Sequence, residues 1–127
     1  MQIEKTYIPD LVVLNPHIHK DSRGFFYENF NKQSFEKTIG RKIDFVQDNH
    51  SYSIRNVLRG LHYQINKPQG KLIRVTKGSC FDVAVDLRKS SKTFKKWFGV
   101  ELSEKNKKIF WIPEGFAHGF LVTSKEA

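Results

Sequence analysis

The chain has little sulfur: one cysteine and one methionine in 127 residues. A lone cysteine excludes an internal disulfide, and Cys80, inside SCFDVAVDL, reads as an inert thiol in a buried strand. No N-terminal apolar stretch has the form of a signal peptide, and no run is long enough to span a bilayer, so the expectation is a cytoplasmic protein with no membrane partner. Acidic residues are the minority charge, 13 against 22 Lys and Arg, for a formal net charge of +9. That excess suits nucleic acid, an anionic surface or a small phosphorylated ligand without choosing among them. Much of it lies in KKWF and SEKNKK, where lysines beside turns are most simply solvated faces. Repeats, low-complexity tracts and linkers are missing too, which leaves a single domain over 1–127.

Short alternating segments are what the chain has in quantity. Its 39% hydrophobic and 13% aromatic content, with eleven Phe, supports a packed core. Strand-like segments separated by turns every ~8–12 residues indicate an all-β sandwich or barrel. The opening Ile, Val and Leu runs suit one edge strand, with Pro9 and Pro16 at its ends. DSRG is a turn. His17 and His19 form an H-x-H pair, but no third and fourth ligand follow at a recognisable spacing, so both read as exposed. FFYENF alternates, setting Phe26, Glu28 and Phe30 on one face. NKQSFEKTIGRK carries Phe35 and Ile39 four apart with Gly40 at the stop, and reads as the only sizeable helix. DFVQDNHSYSIRNVLRG returns to strand pattern, and its Gln47, Asn49 and His50 make it either an exposed edge or a polar strand that reads a sugar or a base.

The central stretch, VLRGLHYQINKPQGKLIRVTK, is expected to form a strand pair about an INKPQG turn. It gathers Arg59, His62, Gln64, Lys71 and Arg74 on what is otherwise a buried surface, which is costly unless something anionic binds there. In the next strand Asp82 and Asp86 alternate with Phe81, Val83, Val85 and Leu87, and point either to solvent or into a polar cavity. KKIFWIPEGFAHGFLVTS adds an apolar strand, a Pro-Glu-Gly turn and His118.

Two of these pieces resemble the halves of the cupin signature, a small jelly-roll barrel: GLHYQ through Lys71 to Gly78, and PEGFAH with Pro113, Gly115 and His118. Metal-binding cupins have H-x-H and a Glu in the first half. Here His62-Tyr63-Gln64 and Lys71 stand in their place, and a lysine at a ligand position repels a divalent cation, so no metal is expected. A histidine base and a fixed ammonium suit proton abstraction beside a carbonyl: His62 takes the carbon-bound proton and Lys71 stabilises the charge on the oxygen. Arg59 and Arg23 offer paired hydrogen bonds to phosphate.

DSRGFFYE, FVQDN, RGLHYQ, GKLIRVTKG, DVAVDLR, TFKKW and IPEGFAHGF, running from about Asp21 to Phe120, resemble the dTDP-4-dehydrorhamnose 3,5-epimerase family, cofactor-free enzymes of nucleotide-sugar metabolism. The resemblance implies an all-β jelly-roll homodimer that inverts carbons 3 and 5 of a dTDP-linked keto sugar, dTDP-4-dehydro-6-deoxy-D-glucose, to give dTDP-4-dehydro-L-rhamnose. His62 matches the family's general base and Lys71 the residue facing the keto oxygen. Arg23, Glu28 and the Gln47, Asp48, Asn49 run match nucleotide-sugar contacts, which come partly from the partner subunit. Arg59 and His118 match further substrate-binding positions. Family members continue past HGF into a portion supplying a tyrosine acid and an aspartate paired with the base. This chain stops at Ala127 without those positions, and Tyr52 and Tyr63 do not match the acid, so the chain is expected to be C-terminally incomplete, leaving core surface such as Phe116, Phe120 and Leu121 uncovered. Asp82 or Asp86 then becomes the candidate for orienting His62. Three alternatives remain: an epimerase of a single carbon, a non-catalytic nucleotide-sugar binding module, and a nucleic-acid binder. The last needs a basic groove that lysines scattered over turns do not supply.

Overall fold

The computed structural model describes residues 1–127. Strand β1 (Gln2–Lys5) and strand β2 (Val12–Asn15) come first, followed by the hairpin of β3 (His19–Asp21) and β4 (Gly24–Phe26), and the helix α1 (Lys32–Ile39). Then come β5 (Leu58–His62), β6 (Lys71–Arg74), β7 (Ser79–Asp86), β8 (Trp97–Ser103), β9 (Ile109–Ile112) and β10 (Phe116–Val122). The strands form two four-stranded sheets, ordered β1-β2-β9-β6 and β5-β10-β7-β8, with β3-β4 apart. All pairings are antiparallel, as in an all-β jelly roll with one short helix.

Helix α1 follows its sequence signals. The Asn31 side chain accepts from the Ser34 amide at the start, and Gly40 ends the helix in the left-handed region, φ 79°, where a β-carbon is penalised. Its one buried side chain, Phe35, meets Trp111 edge-on at 5.2 Å between ring centroids, and Phe45 closes the cluster. Between the sheets lies the larger core, including Ile8, Leu11, Val13, Leu102, Phe110 and Ile112.

Several expectations change. The opening edge strand is a hairpin, β1 outermost and β2 inside it, turning near Pro9 and Asp10. FFYENF is strand only to Phe26, so Glu28 and Phe30 lie beyond regular structure. DFVQDNHSYSIRNVLRG is not a strand before β5: apart from the buried Ser53 and half-buried Val57 it is exposed, and it meets β10 and the residues after it through the Ile54–Glu126 bridge and backbone hydrogen bonds at Ser53, Arg55, Asn56 and Val57. The central stretch is not a strand pair: β5 pairs with β10 and β6 with β9, in different sheets. Each finds a better partner far along the chain, Leu72 and Ile73 beside the buried Trp111 and Phe110, and Gly60 against Gly119. The last contact requires glycine on both sides, since a methyl at Gly119 would lie 2.7 Å from the Arg59 carbonyl oxygen. Phe116 is not left uncovered: it is 4% exposed, with the Arg88 guanidinium 4.6 Å above its ring, while Leu121 is exposed.

The β3-β4 hairpin is held from outside. Lys107 Nζ donates to the Glu104 carbonyl and lies 3.9 Å from the Phe25 ring centroid, with Tyr27 stacked beside that ring. An exposed cation over an aromatic face contributes about 0.5–1 kcal/mol. Lys107→Met should therefore speed hydrogen exchange of the hairpin amides by about twofold to fivefold. An unchanged rate would show that the cation does not hold the hairpin.

Candidate active site

The floor of the site is built by β6, β7 and β10. Lys71 opens β6 half-buried, and burial alone holds its ammonium pKa below the ordinary lysine value. On β7 the period of two puts Cys80, Asp82, Ala84 and Asp86 inward. The larger Phe81 faces outward and lies over Gly99, where an added methyl would meet its ring at 2.2 Å. Burial pushes the Cys80 thiol up to about 12, in keeping with an inert core thiol.

The two inward carboxylates have different partners. Asp86 accepts from the Arg88 amide and guanidinium and from the Ser91 and Thr93 hydroxyls. Burial opposes its charge, but those hydrogen bonds outweigh burial and hold its carboxyl well below the usual range. Asp82 reaches one side chain: its Oδ1 lies 2.9 Å from Nε2 of His118, while its Oδ2 is buried with no hydrogen-bond partner. Burial raises the Asp82 pKa, and the His118 hydrogen bond offsets only part of that rise. Neither carboxylate is paired with His62. The Asp82–His118 pair is not foreseen from the sequence: the alternation in DVAVD leaves an inward carboxylate as one of two readings and gives it no partner.

His118 stands between two cavities. One, of about 590 Å³, is lined by Lys71, Gln47, Asp48, Asn49 and His118 among others. The other, of about 420 Å³, contains His118, Asp82, Cys80, Arg74, Asp48 and Asn49. The 47–49 run is carried there by its anchors. Upstream, Phe45 packs on Phe35 and Trp111. Downstream, Ser53 exchanges two backbone hydrogen bonds with Ala127, 2.8 and 2.9 Å. Gln47 Nε2 donates to Asn49 Oδ1 within the run. A third hollow, about 620 Å³, lies between α1 and the Pro9-Asp10 turn, but its arginines are already engaged, Arg41 with Glu114 and Arg88 with Asp10.

Other expected site residues lie around this centre. His62 ends β5 and is the Cα partner of His118 across the β5-β10 ladder. It is exposed and lines neither cavity, so the cost of burial that first drew attention to this strand does not apply to it. Arg59, three residues earlier, is anchored on Ser53 Oγ at 2.9 Å and on the Tyr52 carbonyl at 3.2 Å. Arg23 and Glu28 are not gathered in. Arg23 lines a separate hollow on the hairpin and pairs with Asp21 at 2.6 Å, and Glu28 accepts from Asn31. His17 and His19 are exposed, edge to face.

The arrangement supplies a half-desolvated ammonium, a histidine fixed by a buried carboxylate, amide groups for polar recognition, and a free histidine one strand away. The family model described as dTDP-4-dehydrorhamnose 3,5-epimerase matches residues 5–127. A protein of that name from Shigella flexneri is 59% identical over 128 residues, covering 100% of this chain and 71% of its own. The crystal structure of dTDP-6-deoxy-D-glucose-3,5-epimerase from Legionella pneumophila, in complex with dTDP-4-keto-L-rhamnose, superposes with a TM-score of 0.96 at 53% identity, over 98% of this chain and 66% of that one. A 3'-monoepimerase from Streptomyces bikiniensis, in complex with dTDP-quinovose, is similar at 30% identity and a TM-score of 0.88, over 96% of this chain and 62% of that one.

Proposed function

Because the chain belongs to the dTDP-4-dehydrorhamnose 3,5-epimerase family, we propose that it is an isomerase that inverts carbons 3 and 5 of dTDP-4-dehydro-6-deoxy-D-glucose. The product is dTDP-4-dehydro-L-rhamnose. The observation that carries this reading is the half-buried Lys71 lining the same cavity as His118 and the 47–49 run, with burial holding its pKa below the ordinary lysine value. Each inversion removes a proton from a carbon beside the 4-keto group, with the negative charge moving onto the keto oxygen, and then returns a proton from water to the opposite face of that carbon. An ammonium stripped of part of its water stabilises that oxyanion more strongly than one in bulk solvent. His62 is the base, and exposure leaves its ring free to meet the carbon-bound proton. Arg59, His118, Gln47, Asp48 and Asn49 bind the nucleotide sugar. Arg23, in the hairpin turn, and Glu28, just beyond the hairpin, both outside the cavity, serve the site of a partner subunit in a homodimer. No helix is long and apolar enough to cross a membrane, and a cytoplasmic location suits a nucleotide-sugar substrate.

A single-carbon epimerase is the second reading, favoured only by the 30% identical monoepimerase. The 59% and 53% identical relatives both bear the name of a 3,5-epimerase.

Substituting Lys71 tests the oxyanion role. Lys71→Met should lower kcat by about a hundredfold to a thousandfold, the usual effect of removing one oxyanion donor. The pH profile gives an independent check. The ammonium is the active form and its pKa lies below 10.5, so the rate should fall on an alkaline limb beneath the ordinary lysine range. Lys71→Arg should lose that limb. A Lys71→Met enzyme with unchanged kcat would remove Lys71 from the mechanism.

A further inference from the structure

Asp82 is a poor choice for stability. Its side chain is fully buried, Oδ2 has no partner, and Oδ1 meets one imidazole. A carboxylate taken out of water needs several hydrogen bonds to offset its desolvation. Asp86, two turns of the same alternation further along β7, shows what a structural carboxylate receives here: a guanidinium, a backbone amide and two hydroxyls. Asp82 receives none of these, and its half-satisfied carboxyl lines the inner cavity together with His118. Groups that cost stability in this way are characteristic of functional sites.

The contact also decides which way His118 works. With Asp82 ionised its oxygens can only accept, which assigns the shared proton to Nε2 and leaves Nδ1 for a ligand. The ring sits at the boundary of both cavities, 14% exposed. A ring held from one side by a fixed acceptor loses neither its tautomer nor its orientation when the pocket is empty. We propose that Asp82 is a positioning residue of this site: from the inner cavity it fixes His118 through Nε2, so that Nδ1 is presented to a hydroxyl of the sugar.

This inference rests on the epimerase reading for its ligand, and on geometry alone for its pairing. The first test is the imidazole nitrogen chemical shifts of His118 in the wild-type protein, assigned by its loss in His118→Ala. A proton on Nε2 with a bare Nδ1 supports the proposal, and the opposite tautomer overturns it, whether or not the protein turns over any sugar. The second test is kinetic, with dTDP-4-dehydro-6-deoxyglucose. Asp82→Asn should raise KM about tenfold, within the range seen for residues that orient a ligand-binding histidine, with a smaller change in kcat. Its Tm should be equal to or above the wild-type value, because the substitution removes a buried charge. A lowered Tm with an unchanged KM would make Asp82 a structural peg and end the proposal, as would no change in either. In the His118→Ala background Asp82→Asn should change KM no further, and a residual tenfold effect there would mean that Asp82 does not act through His118. Should His118→Ala itself leave KM unaltered, it is the assignment of His118 to the substrate site that fails. The nitrogen shifts then still decide the pairing.

Discussion

Replacing His62 with alanine should lower the rate of epimerisation by about a hundredfold to ten-thousandfold, the range in which a positioned general base contributes. His62 ends β5 as the Cα partner of His118, with its ring in solvent instead of in either cavity. Its loss therefore leaves no void and no buried group unpaired, and Tm should move by less than the equivalent of about 0.5 kcal/mol, as for a surface substitution. KM should change little, because Arg59, His118 and the 47–49 run remain. The measurement is proton NMR of sugar turnover beside a thermal melt of the same preparation. A His62→Ala protein with wild-type kcat would assign the base elsewhere, and one that fails to fold would contradict the exposure of the ring.

The second large effect concerns stability. Asp86→Ala should cost about 3–5 kcal/mol, the penalty for breaking a buried ion pair by removing one partner, and shift Tm by more than about 10 °C for a chain of this size. The loss exceeds that of an ordinary surface ion pair because Asp86 gathers Arg88, Ser91 and Thr93 onto the end of β7. Arg88 in turn covers Phe116 at the start of β10. The pH dependence follows from the depressed pKa. An aspartate ionises at about 3.9 in the unfolded chain, while the folded carboxyl stays charged to lower pH. The stabilisation is thus complete above that value and disappears as pH falls toward the folded pKa. Asp86→Asn should flatten the acid limb of a stability curve as well as lowering the whole curve. An acid limb of wild-type steepness in that variant would place the titrating group elsewhere.

Much of this molecule can be read from local patterns, because local rules fix them. Asn31 and Gly40 bound the helix, period-two alternation marks β7, and a continuous apolar run marks β9. Pairing is another matter. β5 and β6 are neighbours in sequence, yet their partners are β10 and β9, chosen by the facing glycines Gly60 and Gly119 and by packing beside Trp111. No short-range signal carries that choice. Alternation likewise says that the two faces of β7 differ without saying which is inside. Burial would favour Phe81 and Val83, but Asp82 and Asp86 take the interior because His118 and Arg88 receive them. The polar run 47–49 lies outside every sheet, held between the aromatic anchor at Phe45 and the contact at Ser53, and neither anchor shows in its local sequence.

The expected event is removal of a proton from each of the two carbons flanking the keto group. It is tested most directly by incubating dTDP-4-dehydro-6-deoxyglucose with the 127-residue chain in deuterated water and following carbons 3 and 5 by proton NMR. Deuterium should enter both positions, and His62→Ala should abolish it. Deuterium at one carbon only would make it a single epimerase, and binding seen by ligand line-broadening with no exchange at either carbon would contradict the claim, leaving a nucleotide-sugar pocket without turnover.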